Sequence, residues 1–442
     1  MTQSVVLLSI PGLRRQDLAR MPRLAALCGA EQATLTPSFP AVTCPVQANM
    51  TTGALPNAHG VVANGFYWRD RGEVEMWTAW NDCITRPQIW DLLHQRDPQL
   101  TSAVWFPMHS KGCGADTICT PAPIHNPDGS ESLWCYTRPE SLYGELRDQM
   151  GHFPLQHFWG PLANIKATAW IADSAVVAAQ RWRPRFFYIY LTHLDYAAQK
   201  LGPDSEQALT ALTELDEVIA RMATGFAESY AEAELFWLAA SEYTIVPVDH
   251  VLYPNRLLRD AGLLQVRRDE DGEHLDLAGS RAWALVDHQF SHVFVRDADP
   301  QVIAQVAGLF EGREGVAEVL QGDGLSKYHL NHARSGELVL ISEPNSWQAY
   351  YWWLDDAQAP SFARTVDIHR KPGYDPVEMH LDMATRSIPL DATLTRGSHG
   401  APAHDASQRG VLLSSKPGVL GSDALRDVDV AGIVLREFGC PE

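Results

Sequence analysis

Five short stretches, SVVLLSI (4–10), TSAVWF (101–106), RFFYIYLT (185–192), ELFWLAAS (234–241) and HVFV (292–295), are apolar at nearly every position. Runs of this length, apolar on both faces, suit strands of a parallel sheet covered by helices. Between them, SEQALTALTELDEVIARMATGFAES (205–229) sets Leu209, Leu212, Leu215, Ile219 and Met222 at helical spacing beneath a charged face. That spacing predicts an amphipathic helix, and the alternation as a whole predicts an α/β fold.

The pattern breaks between 107 and 160 into Gly, Pro, His, Cys and Trp with little periodicity, as expected of a cap-like insertion lying over the sheet edge. From about 280 to 345, AWALVDHQFSHVFVRD, PQVIAQVAGLFEG and ELVLISEP read as a small α+β lobe. No internal repeat is visible, so residues 1–442 are expected to form one domain carrying these two elaborations.

Composition narrows the function. A chain of 442 residues, 45% of them hydrophobic, can bury a large core. With 35 Lys and Arg against 54 Asp and Glu, its net charge of -19 argues against nucleic acid and acidic membranes as partners, since both need a positive field. The seven cysteines show no zinc-finger spacing and read as reduced, buried thiols. No apolar run approaches the roughly 20 residues of a membrane span. MTQSVVLLSIPGLRR has no basic residue ahead of its apolar run, so it reads as a first strand, and a cytoplasmic location is expected.

Candidate chemistry centres on FPAVTCPVQANMTTG (39–53), where Pro40 and Pro45 flank Thr43 and a short helix closes at Gly53. Thr43 suits two roles there: a helix cap, or a hydroxyl facing an anion held by the helix N-terminus. In open α/β sheets ligands bind beyond the carboxyl ends of the strands. The polar residues there are His193 and Asp195 after RFFYIYLT, Glu242 and Tyr243 after ELFWLAAS, and His399 in the late RGSHGAPAHD. Asp195, Glu242 and His399 are oxygen and nitrogen donors able to hold a divalent ion, although a strand-end carboxylate is more often a cap or an ion-pair partner. Other Asp–His neighbours, Asp249 with His250, Asp287 with His288 and His292, Asp367 with His369, and His404 with Asp405, suit ordinary hydrogen-bonded pairs. Of these, Asp367 and His369 are the first choice for a functional role. Arg370 and Lys371 in RKPGYDP read as a basic turn on a solvated surface.

In order along the chain, SIPGLR, the Phe-Pro-x-x-Thr segment, TTGALPNAHGVVANGFYWRD, GLL, RSGELVLISEP and GSHG resemble the alkaline phosphatase superfamily, in particular its type I phosphodiesterase and nucleotide pyrophosphatase branch. The resemblance implies a three-layer α/β sandwich with a mostly parallel central sheet. It also implies a nucleophile role for Thr43, a phosphoryl-oxygen contact for Asn64, and metal-ligand positions at Asp195, Gln199, Glu242 and His399. Such enzymes use two Zn²⁺ ions, one activating the nucleophile and one binding a substrate oxygen. This chain departs from that pattern: Pro11 replaces an Asp, Glu242 and Tyr243 replace an Asp-His pair, and Gln199 replaces a His. One divalent ion, Zn²⁺ or another, or none, is therefore expected in place of two.

Two functions follow from the resemblance. The first is a hydrolase of a phosphoester, phosphodiester or pyrophosphate bond in a small phosphorylated metabolite. The second is a non-hydrolytic phosphate-ligand-binding protein serving a biosynthetic pathway.

Overall fold

The computed structural model describes residues 4–125, 131–230 and 235–440. Four of the five apolar runs become β1 (Ser4–Ile10), β3 (Ser102–Trp105), β6 (Phe186–Tyr190) and β7 (Leu235–Ser241), whereas the fifth, HVFV, falls in a separate antiparallel sheet and not in the parallel one. Strands β2 (Glu31–Thr36), β4 (Thr117–Pro121) and β5 (Cys135–Arg138) accompany them. A lobe follows with β8 (Ala282–Asp287), β9 (Phe290–Val295), β10 (Val316–Gln321) and β11 (Leu338–Ser342). The chain then returns to the main sheet as β12 (Gly410–Ser414) and β13 (Ala424–Arg426). The nine strands of that sheet lie in the order β13-β2-β12-β7-β1-β6-β3-β4-β5.

The centre, β7-β1-β6-β3-β4, is parallel, whereas β12 runs antiparallel between β2 and β7. Strand alternation divides the core. Val6, Leu8 and Ile10 of β1 face helices Ile165–Trp182 and Glu206–Ser229, while Val5 and Leu7 face helices Thr43–Thr52 and Asp429–Glu437. Helix Glu206–Ser229 agrees with its sequence pattern and starts at Ser205, whose side chain accepts the Ala208 N–H.

The lobe is an antiparallel sheet in the order β8-β9-β11-β10, with helix Pro300–Phe310 packed on it. Trp352 and Trp353 are buried in the same core, so the tryptophans of AYYWWLDD serve packing. One expectation needs correction. Much of the 107–160 segment builds the sheet edge rather than covering it, because β4 and β5 extend the main sheet and helix Leu142–Met150 buries Leu142, Tyr143 and Leu146 in its core. The interrupted spacing concealed these short strands, which pair with each other and with the preceding β3.

Candidate active site

Parallel register brings the carboxyl ends of β1, β6 and β7 together, with Ser9 opposite both Tyr190 and Ala240. Pro11, Asp195, Glu242 and Tyr243 therefore follow three adjacent strands, and helix Thr43–Thr52 starts beside them. Its cap position is Val42, in extended conformation; Thr43 is the first helical residue. The Thr43 hydroxyl thus does not cap the helix. Thr43 Oγ1 lies 3.0 Å from the Tyr243 hydroxyl, which points at Asp195 Oδ1 across 3.5 Å, and the buried Tyr190 ends the adjacent strand.

Asn64 is adjacent but already engaged. Its Oδ1 accepts the Cys44 N–H at 2.9 Å, while its backbone N–H and Nδ2 donate to the Asp287 carboxylate at 2.7 and 3.0 Å. His288 Nδ1 lies 2.6 Å from Asp287 Oδ1. Asp287 and His288 thus belong to the centre, whereas Asp367 caps a turn through the Arg370 N–H and lies outside it. Lys371 is buried and paired with Asp375 and Glu378, so the basic-turn reading of RKPGYDP is overturned at that residue.

Glu242 Oε1 accepts from Ser9 Oγ at 2.6 Å and Gln47 Nε2 at 2.8 Å, and its Oε2 has no partner. Gln199 Oε1 accepts from the Tyr374 hydroxyl at 2.6 Å. His399 donates through Nδ1 to Ala41 O at 2.8 Å, which leaves Nε2 as an unpartnered lone pair. Tyr243 lies flat on His399, ring centroids 3.6 Å apart at 6°, and Tyr374 lies on His288 at 3.5 Å and 14°.

Burial sets the charge state. It pushes Asp195 up to about 7, with the Tyr243 hydroxyl opposing the rise, and Glu242 up to about 8. Asp287 rises to about 6 for the same reason, while His288 and His399 fall well below the ordinary imidazole value and are neutral. Among the described residues, none of the three carboxyls has a Lys or Arg ion-pair partner.

The lone pairs of His399 Nε2 and Glu242 Oε2 have the chemistry of cation ligands. Their arrangement does not fit a two-cation centre. Pro11 offers no donor, and among the described residues no three His, Cys, Asp or Glu side chains converge in metal-holding geometry. Sequence reasoning overlooked Ser9, Gln47, Tyr190 and Tyr374. Ser9 and Tyr190 carried one available signal, a polar atom at the end of an apolar strand.

Parallel strands, a helix starting at Thr43 beside their carboxyl ends and carboxyls beyond the strand ends make up an α/β architecture with a buried polar centre. The type I phosphodiesterase/nucleotide pyrophosphatase model matches residues 5–375, and the chain belongs to that family. An uncharacterized pyrophosphatase/phosphodiesterase of Schizosaccharomyces pombe is 22% identical over 299 residues, 65% of this chain and 53% of its own length. The chain thus spans about half the length of that relative. Murine ectonucleotide pyrophosphatase/phosphodiesterase 5 superposes with a TM-score of 0.62 at 12% identity, over 99% of this chain and 96% of its own. Phosphonoacetate hydrolase from Sinorhizobium meliloti, solved with phosphonoformate, gives 0.61 at 15% identity with the same coverage. At these identities the structures show the shared fold. No described helix is long and apolar enough to cross a membrane.

Proposed function

We propose that the protein is a hydrolase of a phosphoester, phosphodiester or pyrophosphate bond in a small cytoplasmic metabolite, with Thr43 as its nucleophile. The observation that carries this reading is the buried chain from Thr43 Oγ1 through the Tyr243 hydroxyl to Asp195. A threonine hydroxyl is a weak nucleophile unless a base or cation withdraws its proton. Here Thr43 Oγ1 forms the new bond to phosphorus, and the bond to the leaving oxygen breaks with its electron pair. The Thr43 proton passes to the Tyr243 oxygen as the Tyr243 proton passes to Asp195; water then attacks phosphorus, the bond from phosphorus to Thr43 Oγ1 breaks, Thr43 regains its proton by the reverse relay, and the proton the water loses goes to the departed oxygen. The helix N-terminus adds a favourable field for the anion. Small phosphorylated substrates accord with the AMP and phosphonoformate held by two structural neighbours.

A second reading, a phosphate-ligand-binding protein of a biosynthetic pathway without turnover, is favoured by one feature. One of the two N–H groups of the Asn64 amide, the group that would hold a phosphoryl oxygen, is given to Asp287. Assays with a phosphomonoester, a diester and a pyrophosphate, with and without added Zn²⁺ or Mg²⁺, separate the two. The hydrolase reading expects Thr43→Ala to lower turnover at least about a thousand-fold. Binding of phosphorylated ligands without turnover of any substrate, or turnover indifferent to Thr43→Ala, would sink it. Metal content measured on the same preparation is expected to fall below one Zn²⁺ per chain. Stoichiometric Zn²⁺ lost on Asp195→Ala or His399→Ala would return those residues to a ligand role.

A further inference from the structure

Strands β8 and β9 pair up to Asp287 and Phe290, which leaves His288 and Gln289 as a two-residue hairpin turn. Such turns normally lie at the surface and favour Gly, Asn or Asp. Here Asp287, His288 and Gln289 are each at most 2% exposed, and His288 holds the turn at φ +56°, a left-handed conformation uncommon outside glycine. Polar groups buried in this way need partners. The Gln289 N–H donates to the His399 carbonyl at 3.1 Å, Tyr374 lies on the His288 ring, and the Asp287 carboxylate takes two N–H groups of Asn64. Gly400 permits the approach to the Thr43 helix, since a Cβ there would sit 3.3 Å from the Gln289 nitrogen and 3.2 Å from Val42 Cγ1.

Asn64 in turn serves helix Thr43–Thr52. Val42 has no side-chain acceptor to cap that helix, and Asn64 Oδ1 accepts the Cys44 N–H instead, one of the N–H groups that a helix start leaves free. Only an oxygen can meet that N–H, and only an N–H can meet the Asp287 carboxylate, so the amide is held in one orientation. Its nitrogen carries a second N–H beyond the one given to Asp287.

We propose that Asp287 is a positioning residue of the Thr43 centre: from the buried turn it fixes the Asn64 amide, so that Oδ1 caps the nucleophile's helix and the second N–H meets a phosphoryl oxygen as charge develops there. The proposal rests on the hydrolase reading. It gives the small lobe a direct hold on the reaction, because Asp287 is the last residue of β8.

Steady-state kinetics of Asp287→Asn, Asn64→Ala and the double variant, on whichever of the phosphomonoester, diester and pyrophosphate the wild type turns over, test the assignment. An asparagine at 287 offers one acceptor oxygen to three donors, the Asn64 backbone N–H, Asn64 Nδ2–H and His288 Nδ1–H, so the Asn64 amide loses its fixed orientation. Asp287→Asn is expected to lower kcat about ten- to a hundred-fold with KM within about two-fold of wild type. The double variant should be no slower than Asn64→Ala alone, because Asp287 acts through Asn64. Asp287→Glu keeps the carboxylate but shifts it by one methylene; it should lower kcat at least about five-fold and serves where Asp287→Asn does not fold. An unchanged kcat, a loss confined to KM, or losses that multiply in the double variant would each overturn the assignment and leave the hydrolase reading standing. A wild type that turns over none of the three substrates would remove that reading and this one together.

Discussion

At the scale of single residues, the centre combines three buried carboxyls, two neutral imidazoles and several tyrosine hydroxyls. Burying carboxylates without cations is costly, so these groups hold their protons to higher pH than exposed ones do. Asp287 gives a test with a definite sign. Its folded value of about 6 lies above its ordinary 3.8. It therefore contributes stability in full below about pH 4, and that contribution is lost as pH rises to about 6, a change of about 3 kcal/mol. Urea unfolding of wild type and Asp287→Asn at pH 4 and pH 6.5 should show the wild type losing more stability across the interval. Identical losses in the two proteins would refute the assignment. Sequence alone marked Asp287 and His288 as a neighbouring pair and could not rank them above Asp367 and His369. What separates the pairs is that Asp287 is hydrogen-bonded through Asn64 to Cys44, beside Thr43, whereas Asp367 accepts from Arg370, a difference that adjacency along the chain does not contain.

Elements impose a second level of constraint. The segment around RKPGYDP crosses the centre and sets Tyr374 between His288 and Gln199. It is pinned by Lys371, whose Nζ reaches Glu378 at 2.6 Å, Asp375 at 2.9 Å and the Thr365 carbonyl at 2.9 Å, all within a buried pocket. Removing one partner of such a cluster leaves uncompensated buried charge, with a cost of about 3–5 kcal/mol. Lys371→Met is therefore expected to lower the urea midpoint and to speed proteolysis within residues 365–379; an unchanged midpoint would contradict the pinning role. Helix Thr43–Thr52 was readable from its Pro and Gly punctuation, and Gly53 ends it at φ +65°, where glycine is favoured. Thr43's place within it was not readable. Val42 and Thr43 both suit the boundary by residue type, and only the extended backbone of Val42 assigns it the cap.

For the molecule as a whole, the late strand β12 matters more than its length suggests. It bridges β2 and β7 through antiparallel pairing, with Ser414 opposite both Glu31 and Leu238. Val411, Leu412 and Leu413 fill both faces of the sheet. A chain ending at residue 409 would lose that bridge and expose the hydrogen-bonding edge of β7. Such a truncation is expected to aggregate or to unfold without a cooperative transition by circular dichroism. A soluble product that melts cooperatively would show the bridge to be dispensable.

Local pattern was enough to determine the α/β class, the central parallel strands, the long helix at 206–229 and, through motif order, the family. Each of those depends on periodicity, punctuation or spacing, which a linear chain carries. The tertiary structure alone decided that Tyr243 covers His399, that Tyr374 covers His288, and that Asn64 donates to Asp287. These are contacts between residues up to 223 positions apart. Their partners are chosen by the packing of strand ends and helix starts in three dimensions, which no stretch of sequence specifies by itself.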